Sequence, residues 1–303
     1  MTEHARGHGH AHTRPDWAAL AAEIEAEGET LLPYVTQALD AIAERIAAPA
    51  TVLDVGSGPG VFTAALAARF PTARVIAVDG APELLDRARA RAAGVGHPVE
   101  GLRTDLPAGV AELPAADLVW TAQTLHHLGD QSAAVGALAG RLNPGGVLAV
   151  AEGGLPSRFL PRDIGLGRPG LADRLDALQA VGFGEMRDAL GGTVDVPEDW
   201  PALLRAAGLR DVRARTFLVD RPAPLDDGTR RGVAHLLGRY LRMADRLDPD
   251  DAQVLRRLTD PDDPQGVRRR PDVFVLAART VYIGTAPGPS SGTRRSSRLR
   301  RGR

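Results

Sequence analysis

The sequence predicts an α/β fold, doubly wound, in which a parallel sheet carries helices on both faces. Short β-branched runs alternate with helical apolar stripes from residue 51 to residue 152, and such alternation is what crossover connections between parallel strands require. The first run, Thr51-Val52-Leu53-Asp54-Val55, breaks into a glycine loop before the next helical stripe. The last, Val147–Glu152, follows the turn-forming tetrad Asn143-Pro144-Gly145-Gly146, where proline and glycine punctuate the chain.

Each element follows from its local pattern. Trp17, Leu20 and Ile24 recur at helical spacing, Gly28 supplies a stop, and Val35, Leu39, Ile42 and Ile46 form a second stripe ending before Pro49. Residues 15–48 are therefore expected to form two helices covering one edge of a cleft. Residues 49–155 read as the core. The first strand and loop lead into a helix with Phe62, Ala65 and Leu66, then a strand at Arg74–Asp79 and a helix at Glu83–Ala93 with Leu84, Leu85, Ala88 and Ala92 on one face. A weaker strand near Val99–Arg103, a strand at Asp117–Thr121 and a helix at Gln131–Leu142 precede Val147–Glu152. Residues 156–200, with glycine joints, read as a lid or acceptor insertion in which Phe159, Leu160, Phe183, Met186 and Trp200 either line a pocket or anchor the segment. In 201–286, strand-like Val212–Val219 and Val273–Ile283 flank a helical insertion and are expected to complete the sheet. The His-rich residues 1–14 and the Arg/Ser-rich residues 287–303 read as disordered tails.

Composition excludes several chemistries. The chain has no cysteine, which removes disulfides, thiolate nucleophiles and Cys-ligated metal, and no metal site is expected. It has no lysine either, so all 37 cationic residues are arginines, excluding a Schiff-base lysine and a P-loop lysine. A net charge of −1 and 4% aromatic content give neither the basic field nor the stacking residues of a nucleic-acid binder. No apolar run approaches the roughly 20 residues of a membrane helix, and no secretory signal opens the chain, so a cytoplasmic location is expected.

The most informative segment is the loop Gly56-Ser57-Gly58-Pro59-Gly60. Dinucleotide binding wants G-x-G-x-x-G, but here the third glycine arrives one residue early. Asp54, two residues before the loop, would repel a pyrophosphate and attract a cation. S-adenosylmethionine, with a sulfonium and an ammonium, suits that acid. Asp79, followed by Gly80, closes the second strand about 20 residues past the loop, where a carboxylate accepts from ribose hydroxyls. Asp105 follows the weak third strand and can accept from an adenine amino group while Leu106 packs on the ring.

With these residues the sequence resembles the class I S-adenosylmethionine-dependent methyltransferases, from roughly Leu31 to Glu152 and again at Ala207-Gly208-Leu209-Arg210-Asp211-Val212. The resemblance implies a seven-stranded sheet, mostly parallel with the last strand antiparallel, and Val273–Ile283 is the candidate for that strand. It also implies that Asp54, Gly56, Ser57, Gly58 and Gly60 surround the methionine part of the cofactor. Asp79 and Gly80 would then hold the ribose, Asp105 and Leu106 would bracket the adenine, and Thr121 would lie beside the transferred methyl.

Methyl transfer is an in-line displacement from an excellent leaving group, so the protein mainly aligns the nucleophile and, where needed, removes its proton. His126 or His127 is a candidate base, with helix packing as the other reading. Glu152 either orients an acceptor hydroxyl or amine, or caps and ion-pairs. The stretch Thr121-Ala122-Gln123-Thr124 lacks the Asn/Asp-Pro-Pro-aromatic motif typical of amino-methylating nucleic-acid enzymes, so the expected acceptor is a small molecule, with no membrane or nucleic-acid partner. A non-catalytic S-adenosylmethionine binder and an NAD(P)-binding oxidoreductase are the alternative readings. Oligomeric state is not legible.

Overall fold

The structure is a computed structural model that describes residues 16–288. The expected tails, residues 1–14 and those of 287–303 beyond 288, lie outside the described residues. Helix α1 (Trp17–Ala43) precedes the alternating core β1 (Thr51–Val55), α2 (Val61–Arg69), β2 (Arg74–Asp79), α3 (Pro82–Gly94), β3 (Glu100–Arg103), β4 (Ala116–Ala122), α4 (Gln131–Ala139) and β5 (Leu142–Ala151). The chain then adds β6 (Leu155–Arg158), α5 (Leu171–Asp188), α6 (Trp200–Ala206), β7 (Arg210–Arg221), α7 (Asp227–Gly238), α8 (Pro249–Thr259) and β8 (Val275–Thr285).

The fold is the mixed α/β sheet expected, with one strand more. Strands β3, β2, β1, β4 and β5 are parallel neighbours in that order, and β8 runs antiparallel to β5. Strand β7 pairs along nearly all of β8, from Arg210↔Thr285 to Arg221↔Val275. The eighth strand is the short β6, which takes up β8 at Leu155↔Ala278 after β5 has left it at Ala151↔Val281. Its four residues come from a stretch whose Pro and Ser hide any period-2 pattern.

Side-chain alternation sorts the strands into two buried layers. Val52, Leu118, Trp120, Val147, Ala149, Ala151, Val281 and Ile283 share a layer with α1, α2, α7 and α8. Leu53, Val55, Val119, Leu148 and Val150 face the other way, onto α4 and α6. A full burial such as that of Trp120 contributes roughly 1.5–3 kcal/mol, so this parity is strongly enforced, and it decides where each strand-borne polar group points.

One expectation is corrected. Where two helices are expected, the described residues form a single helix, Trp17–Ala43, that runs across Gly28 with Pro33 inside it. A Cβ on Gly28 would lie 3.0 Å from the Val61 Cβ, so the glycine lets α1 rest on the start of α2. Interior Gly and Pro cost about 1 and about 3 kcal/mol in a helix. Burial of Leu31, Tyr34, Val35, Ala38, Leu39 and Ile42 from one helix face outweighs them. Among the described residues no helix is long and apolar enough to cross a membrane.

Candidate active site

The carboxyl ends of β1, β2 and β3 support a cleft of about 510 Å³, roofed by α1 and α5. The loop after β1 turns sharply enough that Gly56 N and Ser57 N both donate to Val78 O, at 2.8 and 3.0 Å. Gly60 stands at φ +82°, and a Cβ there would come within 2.4 Å of the Ala88 Cα on α3. The third glycine therefore serves helix packing beneath the loop, while Gly56, Ser57 and Gly58 line the cleft.

Asp79, Gly80, Asp105 and Leu106 line the same cleft. Asp79 Oδ2 accepts from Gly58 N at 3.0 Å and Oδ1 from Ala81 N at 2.9 Å, so the carboxylate is locked at the strand end with lone pairs to spare. Burial raises its pKa, and the backbone donors of Ala81, Gly58 and Gly80 oppose the shift. Ser57 has a buried hydroxyl with no partner among the described residues. Free lone pairs on a fixed carboxylate, a second acid beside it and an unpaired hydroxyl suit a cationic, hydroxyl-bearing ligand and oppose a pyrophosphate.

Three predicted residues stand elsewhere. Asp54 shares the parity of Val52, which points it at α2, where Thr63 Oγ1 donates to it at 2.5 Å. It is 2% exposed, lies beneath the loop and does not line the cleft; burial pushes its pKa up to about 7. Thr121 shares the parity of Val119 and is fully buried on the α4 and α6 side. Glu152 is also buried away from the cleft surface. Its Oε1 accepts from Thr124 N at 2.9 Å and Leu125 N at 2.8 Å, and its Oε2 lies 2.8 Å from His126 Nδ1. Of the two readings for Glu152, this geometry supports the structural one: it pins the loop after β4.

The side of the cleft expected to take the acceptor is formed around that loop. Gln123 and Thr124 follow β4, with Gln123 at φ +51°, a strained setting for a residue with a side chain. His126 and His127 line the cleft with ring centroids 4.1 Å apart. Burial, followed by the neighbouring His126, lowers the His127 pKa to about 4, so it is neutral at physiological pH. Arg187 of α5 donates to His126 O at 2.9 Å and Leu128 O at 2.6 Å, tying the insertion to the loop. Of the five apolar residues proposed for the insertion, none lines the cleft: Leu160 and Trp200 are buried as anchors, and Phe183 packs 5.6 Å from the His126 ring.

Sequence reasoning missed Glu27 and Tyr34 of α1, Gln179 of α5, Arg239 and Arg279, all of which line this side. Four carry no local signal. Arg279 does, because it interrupts the inward row Val275, Ala277, Val281, Ile283 of β8.

A methyltransferase-domain family profile matches residues 52–146. The chain is 32% identical over 252 residues to a trans-aconitate 2-methyltransferase of Methylobacterium radiotolerans, a match covering 77% of this chain and 88% of that protein. It is 31% identical over 227 residues to one of Streptomyces coelicolor, covering 66% and 73%. A third, from Methylobacterium nodulans, is 36% identical over 165 residues, covering 50% and 60%.

Proposed function

The chain belongs to the class I S-adenosylmethionine-dependent methyltransferase family, and from that premise we propose that it methylates a small-molecule acceptor bound between His126 and the α1 and α5 walls of the cleft. Bound S-adenosylmethionine supplies an electrophilic methyl on a sulfonium. We place its adenosyl part on Asp79, Gly80, Asp105 and Leu106, and its methionyl part on the Gly56–Gly58 turn. The cleft's volume supports a small acceptor, since about 510 Å³ has to hold both molecules.

The observation that carries the acceptor chemistry is the His126–Glu152 pair. A carboxylate 2.8 Å from Nδ1 fixes the proton on that nitrogen, leaving Nε2 with its lone pair as a proton acceptor. His126 then takes the proton of an acceptor hydroxyl as its oxygen attacks in line, and Glu152 holds the ring in that tautomer. His127, neutral at physiological pH, packs on the ring rather than sharing the proton.

A second reading is favoured by Arg279. The relatives from Methylobacterium radiotolerans and Streptomyces coelicolor are named for trans-aconitate, a carboxylate, and a carboxylate nucleophile needs no base at neutral pH. It needs alignment and a nearby cation. Incubation with methyl-labelled S-adenosylmethionine and two panels, phenols and alcohols against small di- and tricarboxylic acids, tests both. A hydroxyl acceptor gives a rate that falls in His126→Gln; a carboxylate acceptor gives a rate that does not depend on that side chain. Label appearing in macromolecules and in neither panel would overturn the proposal.

A further inference from the structure

An inward-facing charge on a central strand is costly unless something compensates it. Strand β8 places Val275, Ala277, Val281 and Ile283 in the layer shared with α1, and Arg279 occupies the same parity. Its cross-strand partner is buried Phe217. The guanidinium donates to Leu155 O at 2.8 Å, Ala278 O at 3.0 Å and Ser157 Oγ at 3.4 Å, all neutral. Among the described residues no carboxylate pairs with it. Arg239, the other cation lining the cleft, is 3.5 Å from Glu27 and donates to Gln179.

Tyr34 of α1 lines the same cleft, close enough for the Arg279 charge to act on its phenol. The residue is 1% exposed, lines the cleft, and its hydroxyl has no hydrogen-bond partner among the described residues. A buried hydroxyl left unpaired is normally eliminated, and nothing in the fold requires a hydroxyl here. The ring is already held by Phe62, whose centroid lies 5.8 Å away edge-on. Burial raises the phenol's pKa, against the opposing Arg279 charge, so it is a donor throughout the physiological range.

We propose that Arg279 and Tyr34 form a carboxylate-binding subsite of the cleft. A guanidinium with neutral partners and a phenol that keeps its proton to donate together match two carboxylate oxygens. The subsite lies at β8, beyond β4 and β5 from the glycine loop, which favours the acceptor's carboxylate over the methionyl carboxylate of the cofactor. This assignment rests on the methyltransferase reading above.

Calorimetry separates the two sources. Titrating S-adenosylhomocysteine onto the protein measures the cofactor arm. Titrating trans-aconitate and other small di- and tricarboxylates onto the S-adenosylhomocysteine-loaded protein measures the acceptor arm. Arg279→Gln is expected to weaken carboxylate binding about tenfold or more, and Tyr34→Phe severalfold, with S-adenosylhomocysteine affinity within twofold of wild type. The converse pattern keeps the subsite but gives it to the cofactor. The proposal is overturned if both affinities stay within twofold in folded Arg279→Gln, or if wild-type protein binds no acid of the panel and its cofactor affinity ignores the substitution. Tyr34→Phe, which removes one atom, decides the matter if Arg279→Gln does not fold. Wild-type protein that fails to bind S-adenosylhomocysteine would instead sink the methyltransferase reading.

Discussion

The two halves of the cleft are built by opposite strategies. The half we assign to the cofactor is local: a turn after β1, an acid after β2 and an acid after β3 all lie between residues 56 and 106. The acceptor half is assembled from α1, the loop after β4, α5, Arg239 and β8, which come from both ends of the chain. A site made of consecutive turns tolerates change in its surroundings but not in its backbone. One made of distant side chains does the reverse.

Substitutions can break this contrast. Gly60→Ala forces a Cβ against the α3 backbone at a left-handed φ, so thermal or denaturant unfolding should show a loss of about 3 kcal/mol, combining αL strain with overpacking. An unaltered midpoint would mean that α3 yields and the loop is not fixed by packing. On the acceptor side, His126→Gln should leave unfolding nearly unchanged yet lower kcat about a hundredfold for a hydroxyl acceptor. His127→Asn should keep most of the wild-type rate. A His126→Gln rate close to wild type would place the proton elsewhere.

Asp79→Ala tests whether the cofactor half also depends on a side chain. Loss of charge-assisted hydrogen bonds should weaken S-adenosylhomocysteine binding by about 2 kcal/mol in a calorimetric titration, and equal affinity would take Asp79 out of the site. The smallest effect is expected at Asp54. Its folded pKa of about 7 lies above the ordinary 3.8 because it is buried. Folding therefore takes up a proton there, and stability is lost as pH rises between about 4 and 7. Asp54→Asn keeps an acceptor for Thr63 without the charge. Its stability relative to wild type should rise from pH 5 to pH 8, and a pH-independent difference would show that Asp54 ionises normally.

Much of the cofactor half was legible because its determinants are short-range. The glycines, Asp79 and Asp105 declare themselves by their distance from a strand end, and strand ends are readable from β-branched runs. Asp54 shows the limit of that reading. Its position along the chain was evident, but its direction depended on which face of β1 meets α2, a matter of sheet parity. Thr121 points away from the cleft for the same reason.

By itself, the sequence determined the alternating α/β core, the sharp turn after β1 and the acids at the ends of β2 and β3, since periodicity, glycine and proline act over a few residues; the antiparallel final strand came only from the family resemblance. Only the tertiary structure decided that α1 continues through Gly28 and Pro33, that Glu152 grips the loop carrying His126, and that Tyr34 and Arg279 line one cleft. Those outcomes depend on burial and electrostatics between segments far apart in the chain, and no local pattern encodes which distant side chain will be the neighbour.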